Sequence, residues 1–208
     1  MTSRSRLPIV LLGVGLLALV ASRISAYDPV TWLLEVFPIV LVVPVLLLTA
    51  KRLPLTPLLY TLILVHAVIL MVGGHWTYAR VPAGFWVQEL LGLARNPYDR
   101  LGHLAQGFVP AIAARELYRR KIPLPSGKWL FWLVCCTALA ISAGYEFIEW
   151  WTAVAMGSGA TDFLGTQGDV WDTQWDMFTA LIGSILAQAT LGRFHERQLA
   201  ALTQRPSR

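Results

Sequence analysis

Residues 168–178 read GDVWDTQWDMF, a stretch in which three aspartates, Asp169, Asp172 and Asp176, alternate with two tryptophans. Residues 179–187 follow directly and read TALIGSILA, which is typical of a helix in hydrocarbon. Ionisable side chains within a membrane span are rare and usually functional, because a charge in the bilayer is costly. The stretch therefore predicts a polar site where a membrane helix begins.

The composition of the whole chain is that of a membrane protein. Of its 208 residues, 56% are apolar and 14% are charged, and the mean hydropathy is +0.57. Soluble domains carry about 25% charged residues. The net charge of +5 comes from basic residues that stand between apolar runs and not on one soluble face. We therefore expect the lipid bilayer as a partner and no nucleic acid.

Six apolar segments predict transmembrane helices, each of which needs about 20 residues. They lie at about residues 7–22, 29–50, 57–74, 97–118, 129–151 and 172–191. The predicted fold class is all-α, a polytopic membrane helix bundle that forms a single integral membrane domain over residues 1–208. Two outer loops, 75–96 and 152–171, connect these segments. We expect a short interfacial or re-entrant helix near residues 87–91 and a polar loop at 152–171.

The first segment has two explanations. Arg4 and Arg6 precede an apolar run, as in a signal peptide, but residues 24–26 form a poor cleavage site. We therefore expect a retained anchor. Residues 96–97 are Asn-Pro, which predicts a capped helix start for the fourth segment.

Lysine and arginine residues set the orientation. With the N-terminus in the cytoplasm, thirteen of them lie on the cytoplasmic side and four lie outside. This positive-inside bias predicts an N-in/C-in topology. Ten of the twelve acidic residues then lie at the outer end of the helices.

Polar residues of separate segments reach the same depth in this topology and share helix faces, because their spacing is three or four residues. Clustered carboxylates repel one another, so protons, a cation or cationic partners must offset their charge. Carboxylates with an imidazole suit a divalent Mn, Mg, Fe or Zn ion. The candidate metal ligands are His103, Glu146, Glu149, Asp172 and Asp176, with Asp99, His75 and Asp169 as weaker candidates.

Three of the polar residues near this cluster have alternative, structural explanations. Asp99 lies in the first turn of its helix, where a carboxylate interacts favourably with the helix dipole. Asp169 is a candidate N-cap for the last helix. Arg100 can neutralise part of the acidic cluster internally, which would weaken the case for a metal.

The remaining polar residues are interpreted from their position alone. Glu35 lies about two turns into the second segment and can face the same cavity. His66 lies in the middle of the third segment and is expected to pack between helices. His195 and the basic C-terminal residues are expected to form a cytoplasmic surface.

Three stretches together resemble the YjdF-type family of bacterial inner-membrane proteins: residues 98–103 (YDRLGH), 145–150 (YEFIEW) and 168–177 (GDVWDTQWDM). The resemblance implies a multi-pass protein of the bacterial inner (plasma) membrane and supplies no activity. The chain is more faintly similar to VanZ-like membrane proteins, which are associated with glycopeptide-antibiotic tolerance and envelope phenotypes. Glu146 and Asp172 match the glutamate and aspartate of that pattern, Gly183 falls in its small-residue helix, and Asp176 stands where asparagine is expected.

Three functions are compatible with this pattern. The first is a metal-dependent membrane enzyme that acts on a lipid or lipid-linked envelope substrate, with one carboxylate as general base. The second is a non-enzymatic binder or transporter of a cation or small molecule, although the inner halves of the helices look almost bare of polar groups. The third is a structural polar network that locks the helices together. The sequence shows no nucleophile or nucleotide-binding motif, so the catalytic residues and the substrate stay open.

Overall fold

A computed structural model of the chain describes the backbone of residues 3–203 and the side chains of residues 6–157, 159 and 163–202. Its secondary structure consists of α-helices and two short 3-10 helices, Tyr78–Arg80 and Gly157–Ala160. No strand occurs within the described residues. The helices are α1 (Ser3–Arg23), α2 (Pro29–Thr49), α3 (Pro57–Trp76), α4 (Pro82–Leu91), α5 (Tyr98–Lys121), α6 (Lys128–Met156), α7 (Thr161–Leu164) and α8 (Asp172–Thr203). The predicted all-α class is confirmed.

Five helices of the described chain are long and apolar enough to cross a membrane. Their spanning segments are Arg6–Arg23, Pro29–Thr49, Pro57–Trp76, Lys128–Met156 and Asp172–Leu202. The protein is therefore a polytopic helical membrane protein. The sixth predicted span, α5, has 24 residues but is more polar, because it packs against α3, α6 and α8 and buries polar side chains among them. The six-span count and the N-in/C-in topology stay predictions.

Local sequence signals explain where several helices begin. Pro29 and Pro57 stand at the first turns of α2 and α3, where the missing proline N–H costs no hydrogen bond. Helix α5 begins at Tyr98, whose backbone N–H donates to the Asn96 side chain at 3.0 Å. The Asn96 side chain thus accepts at the helix start, but the N-cap residue is Pro97, so the prediction of Asn96 as N-cap with proline at the first helical position was one residue too early.

The predicted outer loops contain more helix than the sequence indicated. The first holds α4, over Pro82–Leu91, and a short 3-10 turn. In the second, α6 continues to Met156 because residues 152–156 are apolar and helix-compatible, and it ends at Gly157, whose φ is +58°. The prediction of a polar loop throughout 152–171 was therefore wrong. The last helix also runs well beyond the predicted residue 191, to Thr203.

Helices α5 and α8 run side by side in the same direction and in close contact. A Cβ added at Gly107 would overlap the Ala180 backbone carbonyl, and one at Gly183 would overlap the Leu104 carbonyl. Glycine at these points lets the two backbones approach closely. The consequence is that the polar first turns of α5 face the polar first turns of α8.

Candidate functional site

Three helices bring most of the predicted site residues to one end of the bundle. Asp99 and His103 lie on α5, Glu146 lies on α6, and Asp172 and Asp176 lie at the start of α8. All five side chains are buried, and Asp176 is only 1% exposed. Buried charged groups are stable only when they are paired or bind a cation, so the contacts of each group indicate what the site can hold.

His103 lies at the centre of this group. Its Nε2 is 3.5 Å from Asp99 Oδ1 and 3.6 Å from Asp176 Oδ1. Its Nδ1 donates to the Gln106 side-chain oxygen at 3.0 Å, because an amide oxygen can only accept. Nε2 therefore faces two carboxylates with either a proton or a lone pair. A lone pair there is favourable only if one carboxyl group is protonated and donates to it, or if a cation lies between the groups.

Glu146 adds a carboxylate oxygen without a hydrogen-bond partner. Its Oε1 lies 3.9 Å from His103 Nδ1 and accepts no hydrogen bond from the described residues. Leaving a buried acceptor unpaired costs about 1–3 kcal/mol, and more for a charged one. The half-buried Glu149, one turn further along α6, interacts electrostatically with Glu146 and His103. Glu146 therefore leaves one buried oxygen next to His103 that a ligand could pair.

The geometry around His103 fits a single ion. One ligand atom each from Asp99, His103 and Asp176 lies within 4.8 Å of the others. Metal–oxygen and metal–nitrogen bonds of about 2.0–2.2 Å place ligands of one ion at comparable separations. The Nδ1–H bond to Gln106 resembles the hydrogen bonds that orient histidine ligands in metal sites. Metal binding itself stays a prediction.

Arg95 and Arg100 cross-link the carboxylates from the side of α5. Arg95 contacts Asp172 and donates to Asp99 at 3.1 Å and to the Gly165 carbonyl at 3.0 Å. Arg100 contacts Asp176 and donates to Asp172 at 2.8 Å. Asp172 is thus enclosed by two guanidinium groups, which distinguishes it from Glu146.

The cluster keeps an excess of acidic groups over basic ones. Seven carboxyl groups interact there with two arginines and one histidine. The carboxyl groups are Glu35, Asp99, Glu146, Glu149, Asp169, Asp172 and Asp176. The sequence predicted that Arg100 can neutralise part of the acidic cluster. Arg95 and Arg100 together still offset only part of the negative charge. Protons or a bound cation must offset the remainder.

Asp169 and His75, two of the weaker candidates, differ in where they lie. Asp169 accepts from the Trp171 N–H at 2.9 Å, just before α8, and its other oxygen lies 3.2 Å from Arg100. Asp169 therefore accepts a backbone hydrogen bond in the turn before α8 and also contacts Arg100 at the edge of the cluster. His75 instead contacts α1, where its Nδ1 lies 2.9 Å from the Ser22 carbonyl oxygen. The structure does not bring His75 into contact with the cluster carboxylates.

Glu35 extends the cluster towards α2. It is 4% exposed and accepts from the Tyr145 hydroxyl at 3.3 Å.

The ring of Tyr78 fills the space that a Cβ at Gly73 or at Gly102 would need. Burial raises the pKa of the Tyr78 hydroxyl well above its usual value, and the charge of Glu35 adds to the effect. Tyr78 therefore stays neutral and able to donate.

Several residues of this site escaped the sequence analysis. Arg95 stands four residues before Asp99, a spacing that predicts an ion pair on a continuous helix, but Arg95 precedes the first turn of α5. Gln106 stands three residues after His103 on the same face. Gln167 exchanges two hydrogen bonds of 3.0 Å with the Asn96 backbone, and only the fold brings these two residues together.

A second buried polar cluster lies at the far end of α5 and α8. Glu116 and His195 are both 0% exposed, and His195 Nε2 lies 3.1 Å from Glu116 Oε2. Glu116 also accepts from the Thr56 hydroxyl at 2.8 Å and from Arg120 at 2.8 Å. The prediction that His195 belongs to a surface was therefore wrong. So was the expectation that the inner halves of the helices are almost bare of polar groups.

Comparison with known proteins agrees with this architecture. A family model described as "Predicted membrane protein (DUF2238)" matches residues 7–197. The chain is 63% identical over 183 residues to the inner membrane protein YjdF of Escherichia coli (strain K12), a match that covers 88% of each chain. No solved structure matches the chain. The resemblance to the YjdF-type family and the expected location in the bacterial inner membrane are confirmed. The chain therefore belongs to the DUF2238 family of membrane proteins.

Proposed function

We propose that this protein is a metal-dependent enzyme that acts on a lipid or lipid-linked envelope substrate at one face of the inner membrane. The observation that carries the proposal is the arrangement around His103. Two buried carboxylates face its Nε2, and a third, on Glu146, keeps an oxygen without a partner among the described residues. Buried side-chain oxygens usually have a hydrogen-bond partner, so this unpartnered carboxylate oxygen supports a place for a ligand.

The roles of the residues follow from their contacts. Asp99, His103 and Asp176 are proposed to hold the ion, which would act as a Lewis acid and lower the pKa of a bound water. Glu146 is proposed as the general base, because its unpartnered carboxylate oxygen is free to accept a proton. Arg95 and Arg100 fix the aspartates and offer guanidinium donors of the kind that bind phosphate.

The surroundings of the site suit a substrate that arrives from the bilayer. Tryptophans cluster at membrane–water interfaces, where lipid headgroups lie. Exposed aromatic side chains stand on α4, at the end of α6 and at the start of α8. They are Trp86, Trp150, Trp151, Trp171 and Trp175. The site is thus proposed to lie at headgroup depth, at the outer face if the predicted topology holds.

Cation transport is the second candidate function, and one observation favours it. Buried polar residues continue along α8 beyond Asp176, at Ser184, Gln188 and His195. Carboxylates within membranes mark ion and proton routes, and transport requires polar groups at several depths. The tight contacts at Gly107 and Gly183, however, bring α5 and α8 together between the two ends, which favours a closed site.

Reconstituted protein tests the proposal. Proteoliposomes made with a total inner-membrane lipid extract are incubated with Mn²⁺ or with a chelator, and headgroup release is followed by mass spectrometry. We expect metal-dependent release that Glu146→Gln abolishes and that Glu89→Gln, a change on the exposed face of α4, leaves unchanged. Mn²⁺ uptake without headgroup release would favour transport. Unfolding of the Glu146→Gln protein would favour a purely structural network.

A further inference from the structure

An open cleft lies beside the C-terminal half of α8, at the end of the molecule opposite the acidic site. Its volume is about 510 Å³. Arginine and polar side chains line much of it, in contrast to the carboxylates of the other end. They are Arg115, Ser126, Gln188, Arg193, Glu196 and Arg197. Nothing in the proposed metal chemistry uses this cleft.

The charges of the cleft favour an anion. Its carboxylate, Glu196, already accepts from Arg115 at 2.7 Å and from Ser126 at 3.0 Å. Arg193 and Arg197 are exposed, and no carboxylate among the described residues pairs with either. Guanidinium groups bind phosphate oxygens well because their paired N–H donors match the phosphate geometry. The two unpaired arginines therefore offer a phosphate site.

Gln188 adds a second requirement for the ligand. It is 8% exposed, and its amide nitrogen donates to the Phe131 carbonyl at 3.3 Å. Its Oε1 accepts no hydrogen bond from the described residues. A ligand that carries a hydroxyl or ammonium donor next to its phosphate would satisfy this oxygen. Phosphatidylglycerol has a phosphate and hydroxyl donors, whereas phosphatidylcholine has a phosphate but no hydrogen-bond donor in its headgroup.

The depth of the cleft points to a lipid and not to a soluble phosphate. Gln188 contacts the first turns of α6, where Trp129 is 78% exposed and Trp132 is 58% exposed. Exposed tryptophans at a helix end mark the membrane–water interface. Basic pockets between transmembrane helices are known to bind phospholipid headgroups. The cleft therefore lies at headgroup level.

We propose that this cleft binds the headgroup of an anionic phospholipid such as phosphatidylglycerol. The exposed Arg193 and Arg197 would hold the phosphate, and the buried Gln188 amide oxygen would accept from the headgroup. This site goes beyond the proposed enzyme function, since it lies at the other end of α8. The predicted topology would place it in the cytoplasmic leaflet.

Lipid titration of the detergent-purified full chain tests this proposal. Phosphatidylglycerol and phosphatidylcholine are added to the micelles, and binding is followed by native mass spectrometry. Glycerol phosphate serves as a soluble competitor. The test variant is Arg193→Gln with Arg197→Gln, and the matched control is Lys51→Gln with Arg52→Gln, two exposed residues outside the cleft.

We expect the wild type to prefer phosphatidylglycerol to phosphatidylcholine. The test variant should bind phosphatidylglycerol roughly 30-fold more weakly, since each of the two arginines near anionic lipid contributes roughly five-fold. The control should bind like the wild type. Unchanged binding in the test variant, an equal loss in the control, or glycerol phosphate binding as tightly as the lipid would each overturn the proposal.

Discussion

Glu116 and Glu146 are both buried carboxylates of this membrane bundle, and they differ in how their oxygens are paired. Glu116 accepts from Thr56, Arg120 and His195 with distances of 2.8–3.3 Å. Glu146 keeps Oε1 without a donor among the described residues and lies among other carboxylates. A buried charge that only supports a fold is expected to be fully paired. An incompletely paired one indicates a place for a ligand.

The two clusters also differ in charge. Around Glu116, one carboxylate lies next to Arg120 and His195, so the cluster is balanced without any further ion. Around His103, the carboxylates outnumber the basic groups even when Arg95 and Arg100 are counted. The comparison teaches that burial alone does not identify a functional carboxylate in this protein. The charge balance of its surroundings does.

The largest expected effect is the loss of stability on removal of Glu116. Breaking a buried ion pair by removing one partner typically costs about 3–5 kcal/mol, because the other charge is left unpaired. We therefore expect Glu116→Ala to lower the free energy of unfolding in mild detergent by that amount. Glu146→Gln should change it by less than about 1 kcal/mol, near the centre of the distribution for point mutations. Denaturant titration of both variants checks this difference.

Equal destabilisation by the two substitutions would remove the distinction between a structural and a functional carboxylate. Glu116→Gln provides a second variant in case Glu116→Ala does not fold. It keeps the shape of the side chain but removes the charge that faces Arg120 and His195.

A smaller effect is expected from filling the space around Tyr78. An alanine Cβ at Gly102 would lie 2.6 Å from the Tyr78 ring, so the ring must move. Overpacking of this kind typically costs about 1–3 kcal/mol. Gly144→Ala is the matched control, because a Cβ at Gly144 meets nothing within 4 Å and alanine favours the helix.

Thermal unfolding of the two glycine variants measures this contrast. Gly102→Ala should unfold at a lower temperature than the wild type, and Gly144→Ala should be at least as stable as the wild type. Equal stability of the Gly102→Ala and wild-type proteins would mean that Tyr78 is held loosely. The phenol would then be no fixed part of the acidic cluster.

The sequence predicted the helices well where local chemistry determines them. Helices α2 and α3 begin at the predicted Pro29 and Pro57, where the apolar runs start and proline is tolerated at a first turn. The start of α8 at Asp172 also agrees with the prediction. The ends were less accurate, since a helix can continue past an apolar run when its residues are still compatible with helix, as α6 and α8 do.

The sequence predicted which residues of the candidate site share a helix face where these residues are four positions apart on one helix. The four-residue spacing of Asp99 and His103, and of Asp172 and Asp176, predicted shared faces, and the fold brings these faces together. His195 was misjudged because its neighbours are basic, as on a solvated surface. Only the contact with Glu116, 79 residues away in the chain, reveals that it is buried. Long-range pairing of this kind leaves no trace in local spacing.

Mn²⁺ binding to the detergent-purified protein, followed by electron paramagnetic resonance, tests the central claim most directly. The account predicts one bound ion per chain, with affinity reduced at least roughly 100-fold by Asp176→Asn, since even loss of an outer contact to a ligand costs 10- to 100-fold. Asp169→Asn, at the more exposed edge of the same cluster, should bind Mn²⁺ nearly as tightly as the wild type. Absence of binding in the wild type, or equal weakening by the two substitutions, would contradict a shared metal site around His103.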